Sequence, residues 1–253
     1  MSINEHEERN GAKDKDLSDN HTIVSHDKWI KARKELLIKE KEFTHARDQI
    51  NHKRRELPWV RVDKGYVFNG PKGKQTLSEL FNGKSQLIVY HFMFGPDWEA
   101  GCPSCSFWAD NFNNIIIHLN QRDVSMIAIS RAPYDKIAAY QKRMGWDFHW
   151  VSSYDNNFNF DYHVSFAQEE LAKKEVFYNY VLQDTGVSDK EGVSVFYKNP
   201  SGQIFHTYST FERGIDTFNV AYHYLDIVPK GRDEEGYAFP QYWVRRHDEY
   251  SNK

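Results

Sequence analysis

The chain has 253 residues, of which 40% are hydrophobic and 27% charged, and its net charge is −3. That length can bury one large core or two modest ones. The near-neutral charge gives no electrostatic case for a nucleic-acid or anionic-membrane partner, and no apolar run approaches the roughly 18 residues of a bilayer span.

Residues 1–24 are polar and charged and are expected to be a disordered tail. The stretch from Met1 to Glu8 lacks the apolar core of a signal peptide, so the expected location is cytoplasmic. Residues 25–58 read as a long N-terminal helix, roughly Asp27 to Leu57. Trp29, Leu36, Phe43, Ile50 and Leu57 recur every seven residues, with Ala32 and Ala46 as a thin second row. So narrow a stripe suits contact with another surface or pairing with a second copy in a homodimer. Pro58 disfavours helix at Leu57 and should end it. Residues 27–61 hold eleven Lys/Arg and six Asp/Glu, which fits a solvated face with i,i+4 pairs better than a basic binding helix.

Residues 59–230 read as one domain. Short strands fit Trp59–Val62 and Tyr66–Phe68, with Asp63-Lys64-Gly65 turning between them and 69–73 as loop. Thr76 and Glu79 have capping-box spacing for a short helix that ends near Asn82-Gly83. A strand at 86–94 then leads through Gly101-Cys102-Pro103-Ser104-Cys105 into a helix at 103–119, with Trp108, Phe112, Ile115, Ile116 and Leu119 on its apolar face. A strand at 123–130 is continuously apolar, as in a sheet covered on both faces. A helix runs from Pro133 to Met144 with Gly145 at its C-terminus, and a strand follows at 148–152. This alternation predicts right-handed crossovers and a partly parallel sheet. Further on, 153–159 reads as loop and 167–181 as helix. A hairpin spans Val193–Tyr197 and Gln203–Tyr208, a helix covers 214–225, and 231–253 is a charged, aromatic tail.

Cys102 and Cys105 are the only cysteines. A pair two residues apart at a strand-to-helix junction is the layout of a dithiol redox site. Pro103 fits the first helical position, where no N–H donor is needed. Cys102 is then the N-cap, and its sulfur can accept from the amides of Ser104 and Cys105. That favours the thiolate and should lower the pKa. Cys105 lies one turn in, nearer the core. Cys102 is therefore expected to attack and Cys105 to resolve the mixed disulfide. Trp98 and Glu99 shape the approach to the site. Glu99 and Asp97 could take the Cys105 proton, although exposed loop acids usually do nothing. Trp98, Trp108, Trp146 and Trp150 suit packing better than cofactor stacking, and no cofactor is expected.

Cys102, Cys105 and His118 match the first three ligands of a zinc finger, but Arg122, Asp123 and Val124 stand where the fourth would fall, so no metal is expected. An inert buried pair remains open. His91 and His206 read as satisfied sheet histidines more readily than as catalysts.

The order of elements and the cysteine position resemble the thioredoxin superfamily. More closely, the chain resembles the bacterial DUF899 family of thioredoxin-like proteins of unknown function. The matching stretches include Trp29-Ile30-Lys31-Ala32-Arg33, Arg54-Arg55-Glu56-Leu57-Pro58-Trp59-Val60, Val89-Tyr90-His91-Phe92-Met93-Phe94-Gly95-Pro96 and Gly101-Cys102-Pro103-Ser104-Cys105-Ser106. Arg143-Met144-Gly145-Trp146, His206-Thr207-Tyr208-Ser209 and Gly231-Arg232-Asp233-Glu234 extend the match. The resemblance implies an α/β, thioredoxin-like fold with a central mixed sheet flanked by helices, extended by the long N-terminal helix. Two departures qualify it. Thioredoxins place a cis-proline before the strand facing the cysteines, whereas Glu191-Gly192-Val193 stands there. Residues 95–102 also resemble a peroxiredoxin loop, but Glu99 replaces its Thr or Ser, and no arginine occurs between Arg143 and Arg213. The leading expectation is a thiol–disulfide oxidoreductase acting on an unidentified protein or small-molecule thiol or disulfide. The alternatives are a binding or scaffold protein self-associating through its N-terminal helix, and a peroxiredoxin-like thiol peroxidase.

Overall fold

Helix α1 (His26–Arg55) is the first long element of the computed structural model, which describes residues 17–251. Most of the expected disordered tail, residues 1–16, lies outside the described residues, and Leu17–Asn20 form a short 3-10 turn. Taken by itself, α1 carries Trp29, Leu36, Phe43 and Ile50 as an exposed row. Its surface is laced by pairs such as Lys39 to Glu42 at 2.9 Å, and its last turn is basic, which suits the negative end of the helix dipole. The chain divides into two units after Glu56.

The second unit is built on an eight-stranded sheet among the described residues. In chain order its strands are β1 (Val60–Arg61), β2 (Val67–Gly70), β3 (Gly73–Thr76), β4 (Gln86–His91), β5 (Val124–Ser130) and β6 (Trp150–Ser152). A separate hairpin, β7 (Val176–Tyr178) and β8 (Val181–Gln183), precedes β9 (Gly192–Lys198) and β10 (Ile204–Phe211). The helices are α2 (Leu77–Leu80), α3 (Pro103–Ala109), α4 (Ile116–Gln121), α5 (Tyr134–Arg143), α6 (Phe158–Asp161), α7 (Gln168–Lys173) and α8 (Val220–Leu225).

Spatially the strands run β1-β10-β9-β4-β5-β6-β2-β3. β4 and β5 are parallel, as are β5 and β6, while β9 lies antiparallel on the other side of β4 and β10 antiparallel to β9. A parallel pair with the cysteine helix between its strands, followed by an antiparallel hairpin on the first strand, is the thioredoxin-like arrangement. β1 and β2 occupy distant places in the order, yet only residues 62–66 join them, so the sheet must curl.

Apolar side chains cover both faces. One face packs Tyr90, Phe92, Cys105, Trp108, Phe112, Tyr140 and Trp150. The other packs Phe68, Leu80, Phe81, Val89, Ile127, Phe158 and Phe196. Alternation along β4 divides them: Tyr90 and Phe92 face the cysteine helix, Val89 and His91 the opposite way. β5 is buried along nearly its whole length, as its apolar run predicts.

Five local expectations are corrected. β1 and β2 are not a hairpin with each other: β1 pairs with β10, and β2 pairs with β3 and β6. Residues 69–73 are accordingly not a free loop: 69–70 belong to β2 and Gly73, at φ +83°, opens β3, so only Pro71 and Lys72 turn the β2/β3 hairpin. The helix expected at 103–119 breaks after Ala109, because the Asn111 amide donates to the carbonyls of Phe107 and Trp108 and competes for the ladder. The helix expected at 167–181 ends at Lys174, which is left-handed (φ +58°), and Asn179 and Tyr180, both at positive φ, turn the β7/β8 hairpin. The helix expected at 214–225 is a 3-10 stretch, Glu212–Phe218, and then α8, whose first amides are capped by Asn219.

The capping box at Thr76 and Glu79 forms in full. Thr76→Ala should therefore cost about 1 kcal/mol. Phe158 is fully buried and meets Phe68 edge-on at 5.1 Å. Phe158→Ala should cost roughly 3–5 kcal/mol, the usual range for emptying an aromatic site. Urea unfolding of both variants checks the contrast.

Candidate functional site

β4 ends at His91, and residues 92–102 loop over its C-terminal end to start α3. The backbone of Met93 holds both ends of this turn. Its carbonyl accepts from the Cys102 amide at 3.0 Å, and its amide donates to Cys105 Sγ at 3.4 Å. Cys102 is the N-cap of α3, at φ −55° and ψ 131°, and Pro103 occupies the first turn. The Cys102 carbonyl then accepts from the Ser106 amide at 3.0 Å and the Ser106 hydroxyl at 2.8 Å. That hydroxyl also bonds the Tyr140 hydroxyl at 2.8 Å, which ties α3 to α5.

Gly101 is required by close approach. A Cβ there would stand 2.6 Å from the Phe92 ring and 2.7 Å from the Tyr140 ring. Pro96 and Trp98 are held through their carbonyls, which accept from Lys136 Nζ at 3.1 and 3.2 Å.

Both cysteines are free thiols, and they are unlike. Cys102 is half-buried; Cys105 is 2% exposed. No amide reaches Cys102 Sγ with the full geometry of a cap hydrogen bond. Its pKa is nonetheless lowered, first by the Cys105 thiol donating to it, against the opposing effect of burial, with help from the amides of Cys105 and Ser104. Cys105 is pushed well above the ordinary value, first by burial and then by its bond to Cys102.

Tyr90 faces this pair from β4. Its hydroxyl is buried and lacks a hydrogen bond of full geometry, and Cys105 is the polar group that bears on it most. Burial raises the Tyr90 pKa strongly. Sequence reading missed Tyr90, since a tyrosine in an apolar run looks like core.

It also missed the C-terminal residues. Arg246 donates to the Gly101 carbonyl through Nη2 at 2.8 Å and Nε at 3.1 Å. His247 Nδ1 lies 2.7 Å from Asp110, and Arg143 binds Asp248 and Glu249. This segment therefore braces the residue next to Cys102. The charge-rich composition of 231–253 was the available signal, but composition does not say where charges are matched.

Ser104 and Pro103 are partly exposed beside Cys102, and Glu99 is exposed on the loop. Trp98 packs on the cysteine-side core. His91 and His206 lie across the sheet from the thiols, linked as His91–Ser194–Ser209–His206 through contacts of 2.7–2.8 Å. Burial holds His91 neutral, pushed down to about 3, and lowers His206 as well. His118 is exposed on α4. Among the described residues no three His, Cys, Asp or Glu side chains gather as metal ligands, and no helix is long and apolar enough to cross a membrane.

No curated protein matches the chain. Among solved structures it is similar to peroxidoxin BcpB from Mycobacterium tuberculosis, at 13% identity over 64% of this chain and 93% of that one, with a TM-score of 0.43. It is similar also to the bacterioferritin comigratory protein of Xanthomonas campestris, at 13% identity over 61% and 86% with a TM-score of 0.42. A third likeness is to the mitochondrial 2-Cys peroxiredoxin of Plasmodium falciparum, at 12% identity over 66% and 92% with a TM-score of 0.38. These likenesses are loose, and they say nothing about the chemistry of the site. The match to the family of bacterial proteins of unknown function DUF899 runs over residues 18–250, and the chain belongs to that family.

Proposed function

We propose that this protein is a thiol–disulfide oxidoreductase in which Cys102 attacks and Cys105 resolves. The observation that carries the reading is the inequality of two neighbouring thiols: one half-buried with a lowered pKa, the other sealed with a raised one. A thiolate attacks a disulfide, and a thiol does not. Cys102 thus opens the substrate disulfide and forms a mixed disulfide, releasing one thiolate. Cys105 then attacks the Cys102 sulfur, closes the 102–105 disulfide and expels the second thiolate. The two electrons come from the cysteines and go to the substrate. The substrate is a disulfide of a protein or small molecule, and two free thiols suit the reducing cytoplasm.

A second reading rests on a separate observation: the exposed row Trp29, Leu36, Phe43 and Ile50 along a 30-residue helix. Such a row suits self-association in a homodimer. It is compatible with the redox reading and independent of it.

Three measurements check these readings. Alkylation by iodoacetamide across pH should show Cys102 reacting with an apparent pKa below the roughly 8.5 of a free thiol. Cys105→Ala removes the largest lowering influence, so the Cys102 profile should move up. An unchanged profile would refute the mechanism of activation. In cell lysate, Cys105→Ser should accumulate mixed disulfides on Cys102 while Cys102→Ser should not; equal capture by both sinks the assignment of roles. Light scattering should give twice the monomer mass, falling to one chain when Leu36, Phe43 and Ile50 are changed to Ser together.

A further inference from the structure

Closing the 102–105 disulfide requires Cys105 to lose a proton while it is buried against Met93, Tyr90 and the start of α3. Once Cys102 is in a mixed disulfide, its sulfur carries no charge and cannot accept that proton. Tyr90 is no base either, because it is sealed with its proton on. Water has poor access to a thiol 2% exposed.

β9 brings a carboxylate to this place. Gly192 pairs with His91 and Val193 with Tyr90, so Glu191 lies beside the C-terminal end of β4, where the cysteine loop begins. Val193 belongs to the cysteine-side core with Tyr90 and Cys105. Glu191 is two residues before it on extended chain, and so points to the same face. Its backbone is fixed by the Tyr178 hydroxyl, which donates to the Glu191 carbonyl at 2.9 Å. Its side chain is half-buried, so part of it stays open to solvent.

Resting on the dithiol reading, we infer that Glu191 is the proton acceptor for Cys105 in the resolving step. The Cys105 proton passes to the Glu191 carboxylate. The Cys105 sulfur attacks Cys102, the Cys102–substrate S–S bond breaks, and the leaving thiolate takes the proton back from Glu191. Mass and charge balance, with the substrate disulfide as the oxidant. The field of Glu191 is felt at both thiols and at Tyr90 and Tyr178, in each case disfavouring the charged form. Other charged or titratable groups around the site are engaged elsewhere: Arg246 with Gly101 and Glu249, Tyr140 with Ser106, and Lys190 over the Tyr178 ring. In the sequence Glu191 stands where a thioredoxin has its proline.

The test uses the full chain, reduced and mixed with excess 5,5′-dithiobis(2-nitrobenzoate), with release of the coloured thiolate followed in a stopped-flow instrument. The first equivalent reports attack by Cys102 and the second reports resolution by Cys105. Glu191→Gln should slow the second release by roughly tenfold or more, the scale of a lost general base, and flatten its rise with pH. The first release should not slow, and Glu191→Asp should retain part of the second rate. Unchanged second release in Glu191→Gln overturns the role of Glu191 while leaving the dithiol reading standing. Equal slowing of both releases also overturns it, because that is a structural effect. A wild-type protein releasing one equivalent in place of two overturns the dithiol reading itself.

Discussion

The site depends on one residue's backbone. Met93 presents its amide to Cys105 and its carbonyl to the amide of Cys102, so the chain leaving β4 and the first turn of α3 share a single anchor. Neither bond uses the methionine side chain, which instead packs against the cysteine-side core. The anchor exists because β4 is clamped between β5 and β9 and its end cannot drift. From it follow the burial of one sulfur, the partial exposure of the other, and their unequal acidity.

Much of this was legible in the residues. The apolar runs at β4 and β5, the capping box at Thr76 and the placement of Pro103 are local signals, and they describe local structure correctly. The alternation of strand and helix was enough to reach a mixed sheet, because crossover handedness leaves few topologies. The Cys102/Cys105 spacing placed the pair at a helix start, and Cys102 is indeed the N-cap of α3.

What the residues did not disclose depends on partners distant in sequence or on competition within a few residues. β1 looks like the first arm of a hairpin, but its partner is β10, some 140 residues on. The α3 break turns on the Asn111 amide outbidding helical amides, an effect that periodicity does not register. Tyr90, Glu191 and Arg246 each look ordinary in their own neighbourhood. They become part of one place only when β4, β9 and the C-terminal segment are brought together.

The Arg246 contact has a consequence for the order of folding. The Gly101 carbonyl and the guanidinium that grips it are 145 positions apart. Pairing of β4 with β5 and closure of the α3 turn need only residues made early in synthesis, and domains begin to organise as the chain emerges. The brace beside Cys102 must wait until residue 246 has left the ribosome. Over that interval the turn that carries Cys102 exists with one of its restraints missing, and its thiol is less sheltered than in the finished fold. A segment that reads as a charged tail thus braces, late in synthesis, the residue next to Cys102.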